Sequence, residues 1–135
     1  MENSNPRKVI VKTLTTRKNA QDAFVYFEDM KNMEAEGAFK FVIRKGDDGW
    51  WSGDTPAGKA RIRHSLVSKE HGILDHFYAG QGLIWNVFVR IMPNNCGSTI
   101  SWTFVRPDGM TDGQFEEQLK GFDREIENWK CDLEK

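Results

Sequence analysis

A long amphipathic pattern in residues 111–135 constrains the fold of this chain more than any other feature. Apolar side chains recur there at alternating spacings of four and three, which places them along one face of a helix. They are Phe115, Leu119, Phe122, Ile126, Trp129 and Leu133. Thr111, followed three places later by Gln114, is a capping-box signal for the start of this helix. A helix of about 22 residues is roughly 33 Å long and needs a broad apolar surface to cover its stripe.

The rest of the chain is mostly strand, so a sheet should supply that surface. Residues 7–16 form a β-branched strand, and residues 20–30 form a short helix that Asn19 caps. A second helical turn is predicted at residues 31–36. From Ala38 onward, about six strands alternate with short turns, which is typical of an antiparallel meander. The predicted fold class is α+β, in the order β-α-α-β6-α, with a curved antiparallel sheet of six or seven strands around the long last helix.

The length and net charge of the chain indicate how many domains it forms and which partners it is not expected to bind. The chain has 135 residues, which predicts one domain covering residues 1–135. Nineteen basic and twenty acidic side chains give a net charge of −1, which argues against nucleic acid and anionic membranes as partners. No apolar run reaches the ~18 residues of a membrane span, and the first residues are polar, unlike a signal peptide. We expect a cytoplasmic monomer or homodimer without a cofactor.

The two cysteines do not suggest a disulfide. Cys96 falls in a predicted turn, and Cys131 falls on the polar side of the last helix. A disulfide requires Cα atoms about 4.4–6.8 Å apart, and a hairpin turn and the outer side of a helix are not expected to come that close. We therefore interpret them as free thiols in a reducing cytoplasm.

The hairpins predict which side chains share a face of the sheet. A three-residue turn after Ala79 would place Phe77 opposite Trp85. Asp75 would then lie opposite Val87. A slip of one residue would exchange the two faces of this strand.

The following hairpin extends these faces. If Ile91 pairs with Ile100, Val89 lies opposite Trp102. Asp75 is the one charged residue on the predicted helix-facing side of the sheet. The apolar residues of that side are Ile73, Phe77, Trp85, Val87, Val89, Ile91, Ile100, Trp102 and Phe104. The predicted outer side carries His76, Asn86, Arg90, Ser101 and Thr103, with Leu74, Tyr78 and Phe88 among them.

The order of elements resembles the helix-grip fold of the START and birch-pollen-allergen superfamily, also called SRPBCC. The segments GILDH (72–76), RIMPN (90–94), WTF (102–104) and GMTD (109–112) are similar to bacterial members described as polyketide cyclase/dehydrase, and AQDAF (20–24) resembles the superfamily's first helix. The resemblance implies a cavity between sheet and last helix that holds a hydrophobic ligand. Members include lipid carriers, hormone receptors, aromatases and cyclases, so the fold does not choose among these functions.

Asp75 is the first candidate catalytic residue. On the predicted apolar face, loss of hydration should raise the pKa of its carboxyl, which suits a general acid or base. The alternative is a structural carboxylate at a sheet edge or cavity mouth, paired with an arginine or a backbone amide.

His64 is the second candidate. Two residues after Ile62, it should share that residue's side of the strand. If that side faces the cavity, His64 lies beside Asp75, and the pair could move protons in an aldol-type cyclisation or a dehydration. The alternative is a hydrogen-bonded histidine in a partly buried sheet.

A metal site is not predicted from His71, Asp75 and His76. Successive strand residues point to opposite faces, so Asp75 and His76 should not converge. Zinc needs three or four convergent ligands.

Three functional hypotheses remain. The first is the binding of a hydrophobic or aromatic small molecule, lipid-like or polyketide-like, between the sheet and the last helix. The second is a cyclase or dehydratase acting on a polyketide-like substrate, with Asp75 and His64 as acid and base. The third is an interaction module whose last helix pairs with another chain. The expected ligand-binding residues are Trp85, Trp102, Phe104, Phe115, Leu119 and Phe122.

Overall fold

The structure is a computed structural model that describes residues 5–32, 41–46, 48–55 and 58–135. The predicted second helical turn at residues 31–36 lies mostly outside these ranges. The described elements otherwise follow the predicted order, with one strand, a helix, six strands and a long helix. They are β1 (Val9–Thr16), α1 (Ala20–Glu28), β2 (Phe41–Lys45), β3 (Trp51–Thr55), β4 (Gly58–Ser68), β5 (Ile73–Gly80), β6 (Leu83–Asn94), β7 (Gly97–Val105) and α2 (Asp112–Leu133).

The seven described strands form one antiparallel sheet in the order β1-β7-β6-β5-β4-β3-β2. Strands β2 to β7 are a meander, because each pairs with the next along the chain. Strand β1 closes the other edge by pairing with β7, from Val9 opposite Val105 to Thr16 opposite Ser98. The predicted α+β helix-grip arrangement is confirmed.

Helix α2 begins at the predicted cap. The Thr111 hydroxyl accepts a hydrogen bond from the Gln114 amide, and the Gln114 side chain accepts one from the Thr111 amide. Five of the six stripe residues are buried, and Phe122 is partly buried against the same core. The stripe is therefore covered by the chain's own fold and is not left open for a partner helix. Neither α1 nor α2 is long and apolar enough to span a membrane.

Helix α1 fills one end of the space between the sheet and α2. Asn19 caps it by accepting a hydrogen bond from the Asp22 amide at 2.8 Å. Phe27 projects from α1 into the core, where it meets Trp102 and Trp129 edge-to-face at ring-centroid distances of 5.5 and 5.6 Å. The cavity described below adjoins this packing, because Trp102 and Trp129 also line it.

The β6–β7 hairpin has the predicted register. Val89 lies opposite Trp102, and Ile91 lies opposite Ile100. All four side chains are buried, as expected of the face that receives α2. The hairpin turn contains Cys96, which is free and exposed, as Cys131 is on α2. The prediction that these two cysteines are not bonded to each other agrees with the structure.

The β5–β6 hairpin is where the predicted register is wrong. Gly80 pairs with Leu83, so the turn has two residues and not three. Gln81 and Gly82 both have positive φ, +55° and +74°, as a two-residue turn of the favoured hand requires. Glutamine seldom adopts this conformation, so Gln81 did not identify the turn in the sequence.

The one-residue shift exchanges the faces of β5. Tyr78, not Phe77, lies opposite Trp85. His76, not Asp75, lies opposite Val87. Leu74, with the same alternation, is buried in the main core. The inner face of β5 therefore carries the three side chains that were predicted to point outward.

A bulge at residue 65 changes the direction of the β4 side chains. His64 pairs with His76, but the next cross-strand pair is Leu66 with Asp75. Ile62 is buried on the inner face, whereas the Leu66 side chain is 53% exposed. The bulge inserts one unpaired residue, which shifts the alternation along the strand.

Candidate functional site

A cavity of ≈ 120 Å³ lies between the inner face of the sheet and helix α2. An apolar cavity of about 150 Å³ is known to hold benzene, so this space suits about one six-membered ring. Strands β4 to β7 and α2 all contribute to its wall. The lining residues are Ile62, His76, Tyr78, Trp85, Val87, Trp102, Phe104, Gln118, Leu119, Phe122, Glu125 and Trp129.

Aromatic rings that contact one another form most of this wall. Trp102 and Trp129 are stacked, with ring centroids 5.6 Å apart. Phe122 packs edge-to-face against Phe104 at 4.9 Å and against Trp102 at 5.4 Å. Such ring pairs stabilise beyond the burial of their area, so the apolar wall is held in place by its own contacts.

A second space of ≈ 310 Å³ adjoins the cavity, and we call it the mouth. The two spaces share four lining residues, which are Tyr78, Trp85, Gln118 and Glu125. The mouth is also lined by the exposed residues Lys59, Gly121 and Arg124, so it opens to solvent. The remaining lining residues are Thr55, Ala60, Gly80, Gln81, Leu83, Met110 and Asn128. A ligand could therefore enter between the β5–β6 turn and α2.

Glu125 lies where the cavity meets the mouth. Burial raises the pKa of its carboxyl from 4.5 to about 7. Within the described parts of the chain, Glu125 forms no hydrogen bond or ion pair. Its neighbour Tyr78 has a raised pKa, chiefly because of burial and secondly because of the Glu125 charge. The Glu125 carboxyl is therefore poised to titrate near neutral pH.

His76 contributes an imidazole to the same wall. Burial, with a smaller contribution from the neighbouring His64, lowers the pKa of His76 from 6.5 to about 4. The ring is therefore neutral at pH 7, and one nitrogen can donate while the other accepts a hydrogen bond.

Trp129 adds a buried donor. Its side chain is 1% exposed, and its Nε1–H has no acceptor among the described residues. A buried polar group without a partner costs free energy. The cavity thus combines an apolar aromatic wall with a few polar groups, which is the usual composition of a ligand pocket.

Five of the six predicted ligand-binding residues line the cavity. These are Trp85, Trp102, Phe104, Leu119 and Phe122. Phe115 does not line it, because its fully buried ring lies against the Trp85 ring at a centroid distance of 5.7 Å. Phe115 therefore supports the wall from behind.

Asp75 does not line the cavity in this structure. Its buried carboxylate accepts hydrogen bonds from the Val89 amide at 2.8 Å and from Arg90 Nη1 at 2.6 Å, both through Oδ1. This geometry corresponds to the structural alternative considered above, a carboxylate paired with an arginine and a backbone amide.

His64 and Asp75 are not cross-strand neighbours. The Cα partner of His64 is His76, and its Nε2 lies 3.2 Å from the Glu28 carbonyl oxygen. The bulge in β4 gives Asp75 a different partner, Leu66. The register therefore does not produce the predicted acid–base pair. No group of three His, Cys, Asp or Glu residues that could hold a metal ion occurs in the described ranges.

The polar residues of the site were not predicted as site residues. His76 and Tyr78 were assigned to the outer face because of the wrong register. Gln118 and Glu125 are spaced with Phe122 and Trp129 at intervals of four, three and four, which places the four residues in one row along the edge of the main stripe. That spacing was the available signal for Glu125.

The sequence matches no protein family model and no curated protein. Solved structures match its fold. A START superfamily protein from Mycobacterium smegmatis matches with a TM-score of 0.67 and 10% identity over 93% of this chain and 98% of its own. Ara h 8.0201 matches with a TM-score of 0.65 and 12% identity over 93% and 97%. DynU16, from the dynemicin biosynthetic locus, matches with a TM-score of 0.73 and 11% identity over 95% of this chain but 48% of DynU16. At these identities the likeness shows a shared fold alone.

Proposed function

We propose that this protein, which has the START-like helix-grip fold, binds a hydrophobic or aromatic small molecule between its sheet and helix α2. The observation that carries the proposal is the aromatic-walled cavity of ≈ 120 Å³ that adjoins a solvent-open mouth. Large rings normally fill such a space, and here they surround it. Solved structures of the same fold include a START superfamily protein, and the sequence resemblance to that superfamily implies a cavity for a hydrophobic ligand.

The volumes of the cavity and the mouth favour a ligand that buries only a small part of itself in the cavity. About one ring fits in the inner cavity, and the mouth of ≈ 310 Å³ can hold a larger substituent. A lipid-like or polyketide-like molecule would therefore insert one ring or a chain end and leave the remainder in the mouth.

The proposal can be tested with a panel of monocyclic aromatics, polyphenols, sterols and fatty acids. Ligands that bind the folded state raise the melting temperature by mass action. Gly121→Phe should reduce this shift, because Gly121 lines the mouth and a side chain there meets open space. Gly113→Phe is the matched control on the same helix, since Gly113 also faces open space but does not line the mouth.

Two results would refute the proposal together. One is a panel that gives no change in melting temperature for the wild-type protein. The other is purified protein from which mass spectrometry recovers no bound small molecule. If Gly121→Phe binds the panel as well as Gly113→Phe does, the binding site lies elsewhere than the mouth and cavity.

A cyclase or dehydratase activity on a polyketide-like substrate is the second candidate. The observation that favours it is the Glu125 carboxyl, whose pKa of about 7 suits a general acid or base at neutral pH. We assign this role to Glu125 and not to Asp75 and His64, since neither of these lines the cavity. Glu125→Gln should abolish turnover of a polyketide-like substrate, whereas Asp75→Asn should retain it.

A further inference from the structure

The cavity contains an acidic group that forms no ion pair with any residue the structure describes. Glu125 is half-buried at the junction of cavity and mouth. Lys59 and Arg124 line the mouth, but neither forms an ion pair with Glu125 in the described structure. An ionised carboxylate that is partly removed from water and has no partner costs free energy. A ligand that brings a positive charge would remove this cost.

The walls around Glu125 also favour a cation. The faces of aromatic rings carry partial negative charge, and tryptophan attracts cations most strongly. Trp85 lines both the cavity and the mouth, as Glu125 does. The Trp85 ring and the Glu125 carboxylate therefore both favour a positive charge where the two spaces meet.

We propose that this site selects small organic cations, namely an apolar ring that bears an ammonium group. The ring would occupy the inner cavity among Trp102, Phe104 and Phe122, and the ammonium would pair with Glu125 at the mouth. This inference rests on the proposed function, because it specifies which ligands that cavity takes.

The other titratable groups that line the cavity with Glu125 do not change protonation between pH 6 and pH 8. Tyr78 and His76 line the cavity from β5, Lys59 lines the mouth from β4, and Arg124 precedes Glu125 on α2. Burial raises the pKa of Tyr78 and lowers the pKa of His76 to about 4, so both are neutral between pH 6 and pH 8. Proton exchange in this range is therefore assigned to Glu125. When a cation binds below pH 7, the Glu125 carboxyl should lose its proton to the buffer.

The test compares benzylamine, benzyl alcohol and benzoate, three probes of one size that differ in charge. Dissociation constants are measured by calorimetry at pH 8 for the wild-type protein, Glu125→Gln and Glu127→Gln. Glu127 is the matched control, because it is exposed on the same helix and lines neither space. The wild-type protein should bind benzylamine about tenfold more tightly than benzyl alcohol, since a hydrogen bond to a charged group contributes more than a neutral one. Glu125→Gln should lose this preference, and Glu127→Gln should retain it.

A proton measurement separates charge pairing from a structural role of Glu125. At pH 6.5, benzylamine binding in two buffers of different ionisation enthalpy should show proton release from the wild-type protein. Glu125→Gln should show none. Benzyl alcohol should release no proton from either protein.

Several outcomes would overturn the inference. If benzyl alcohol or benzoate binds as tightly as benzylamine, or if Glu125→Gln keeps the preference, the site does not select cations and the proposed function stands. If none of the three probes binds while the larger panel does, the single-ring cation is the wrong ligand class. If neither set binds, the proposed function fails together with the inference.

Discussion

Asp75 joins two strands by placing its carboxylate between them. The side chain is 6% exposed, and Oδ1 accepts from both the Val89 amide and Arg90 Nη1. The Val89 amide is a buried donor that would otherwise lack this partner. A structural role of this kind explains an acidic residue among apolar neighbours without any catalytic chemistry.

Asp75→Ala should lower the free energy of unfolding by about 1–3 kcal/mol, the cost of leaving a buried donor unpaired. Arg90 is 42% exposed, so water compensates part of the loss on that side. Asp108→Ala is the control, because Asp108 forms an exposed ion pair with Arg7 and should contribute little. Urea denaturation of both variants measures the difference. Unchanged stability combined with lost ligand binding would instead place Asp75 in the site.

Gly121 is a position where a larger residue should stabilise the helix. A Cβ at this position would meet no atom within 4 Å. Gly121→Ala should therefore raise the free energy of unfolding by about 0.5–1 kcal/mol, because alanine has the higher helix propensity. Thermal and urea denaturation check this, with Gly113→Ala at the first turn as the comparison. A destabilised Gly121→Ala variant would mean that the helix surface needs glycine there.

Helix α2 serves two purposes with two adjacent rows of side chains. One row, exemplified by Phe115 and Ile126, packs in the core. The other row, exemplified by Phe122 and Glu125, faces the cavity. Because rows on a helix lie side by side, a single element can support the fold and form the wall of a binding site.

Truncations in α2 should separate these purposes. Phe115→Ala should cost about 3–5 kcal/mol, because the ring is fully buried and packed on all sides. Leu119→Ala should cost less, about 2–3 kcal/mol, because Leu119 already borders a cavity. Equilibrium denaturation of the two variants gives the order. A larger loss from Leu119→Ala than from Phe115→Ala would show that the space beside Leu119 is filled.

Two partly buried groups, Glu125 and His76, give the stability of the whole molecule opposing responses to pH. The pKa of Glu125 is raised to about 7 in the folded protein. Its contribution to the free energy of unfolding is therefore fully present below pH 4.5 and is lost as the pH rises through 7. The pKa of His76 is lowered to about 4 in the folded protein. Its contribution to the free energy of unfolding is therefore present above pH 6.5 and is lost as the pH falls through 4. Each shift corresponds to about 3 kcal/mol, and their opposite signs partly cancel between pH 4.5 and 6.5.

Glu125→Gln should remove the Glu125 part of this pH dependence of stability. The substitution removes the charge that folding must bury at high pH, so it should stabilise the protein at pH 8. The gain should be about 2–3 kcal/mol larger at pH 8 than at pH 5, where the carboxyl is largely protonated in the folded protein. Urea denaturation at the two pH values measures it, with Glu127→Gln as the control. A gain that is equal at both pH values would mean that Glu125 is not desolvated in the fold.

The sequence by itself determined the elements and much of the core. The apolar period of residues 111–135 and the capping pair Thr111 and Gln114 located α2, because helix geometry and capping are local properties. The β6–β7 register also followed from the alternation of its apolar residues. Five cavity-lining residues were identifiable for the same reason, since their faces depend on strand and helix periods alone.

Only the tertiary structure decided which polar groups reach the cavity. The two-residue turn at Gln81 and the bulge at residue 65 each shift a strand by one position, and one position exchanges the faces of a sheet. These shifts bring His76 inward and leave Asp75 bonded between strands. Burial of Glu125 likewise depends on how α2 lies on the sheet, which no local pattern specifies. The fold therefore follows from periodicity, whereas the chemistry of the site follows from register and packing.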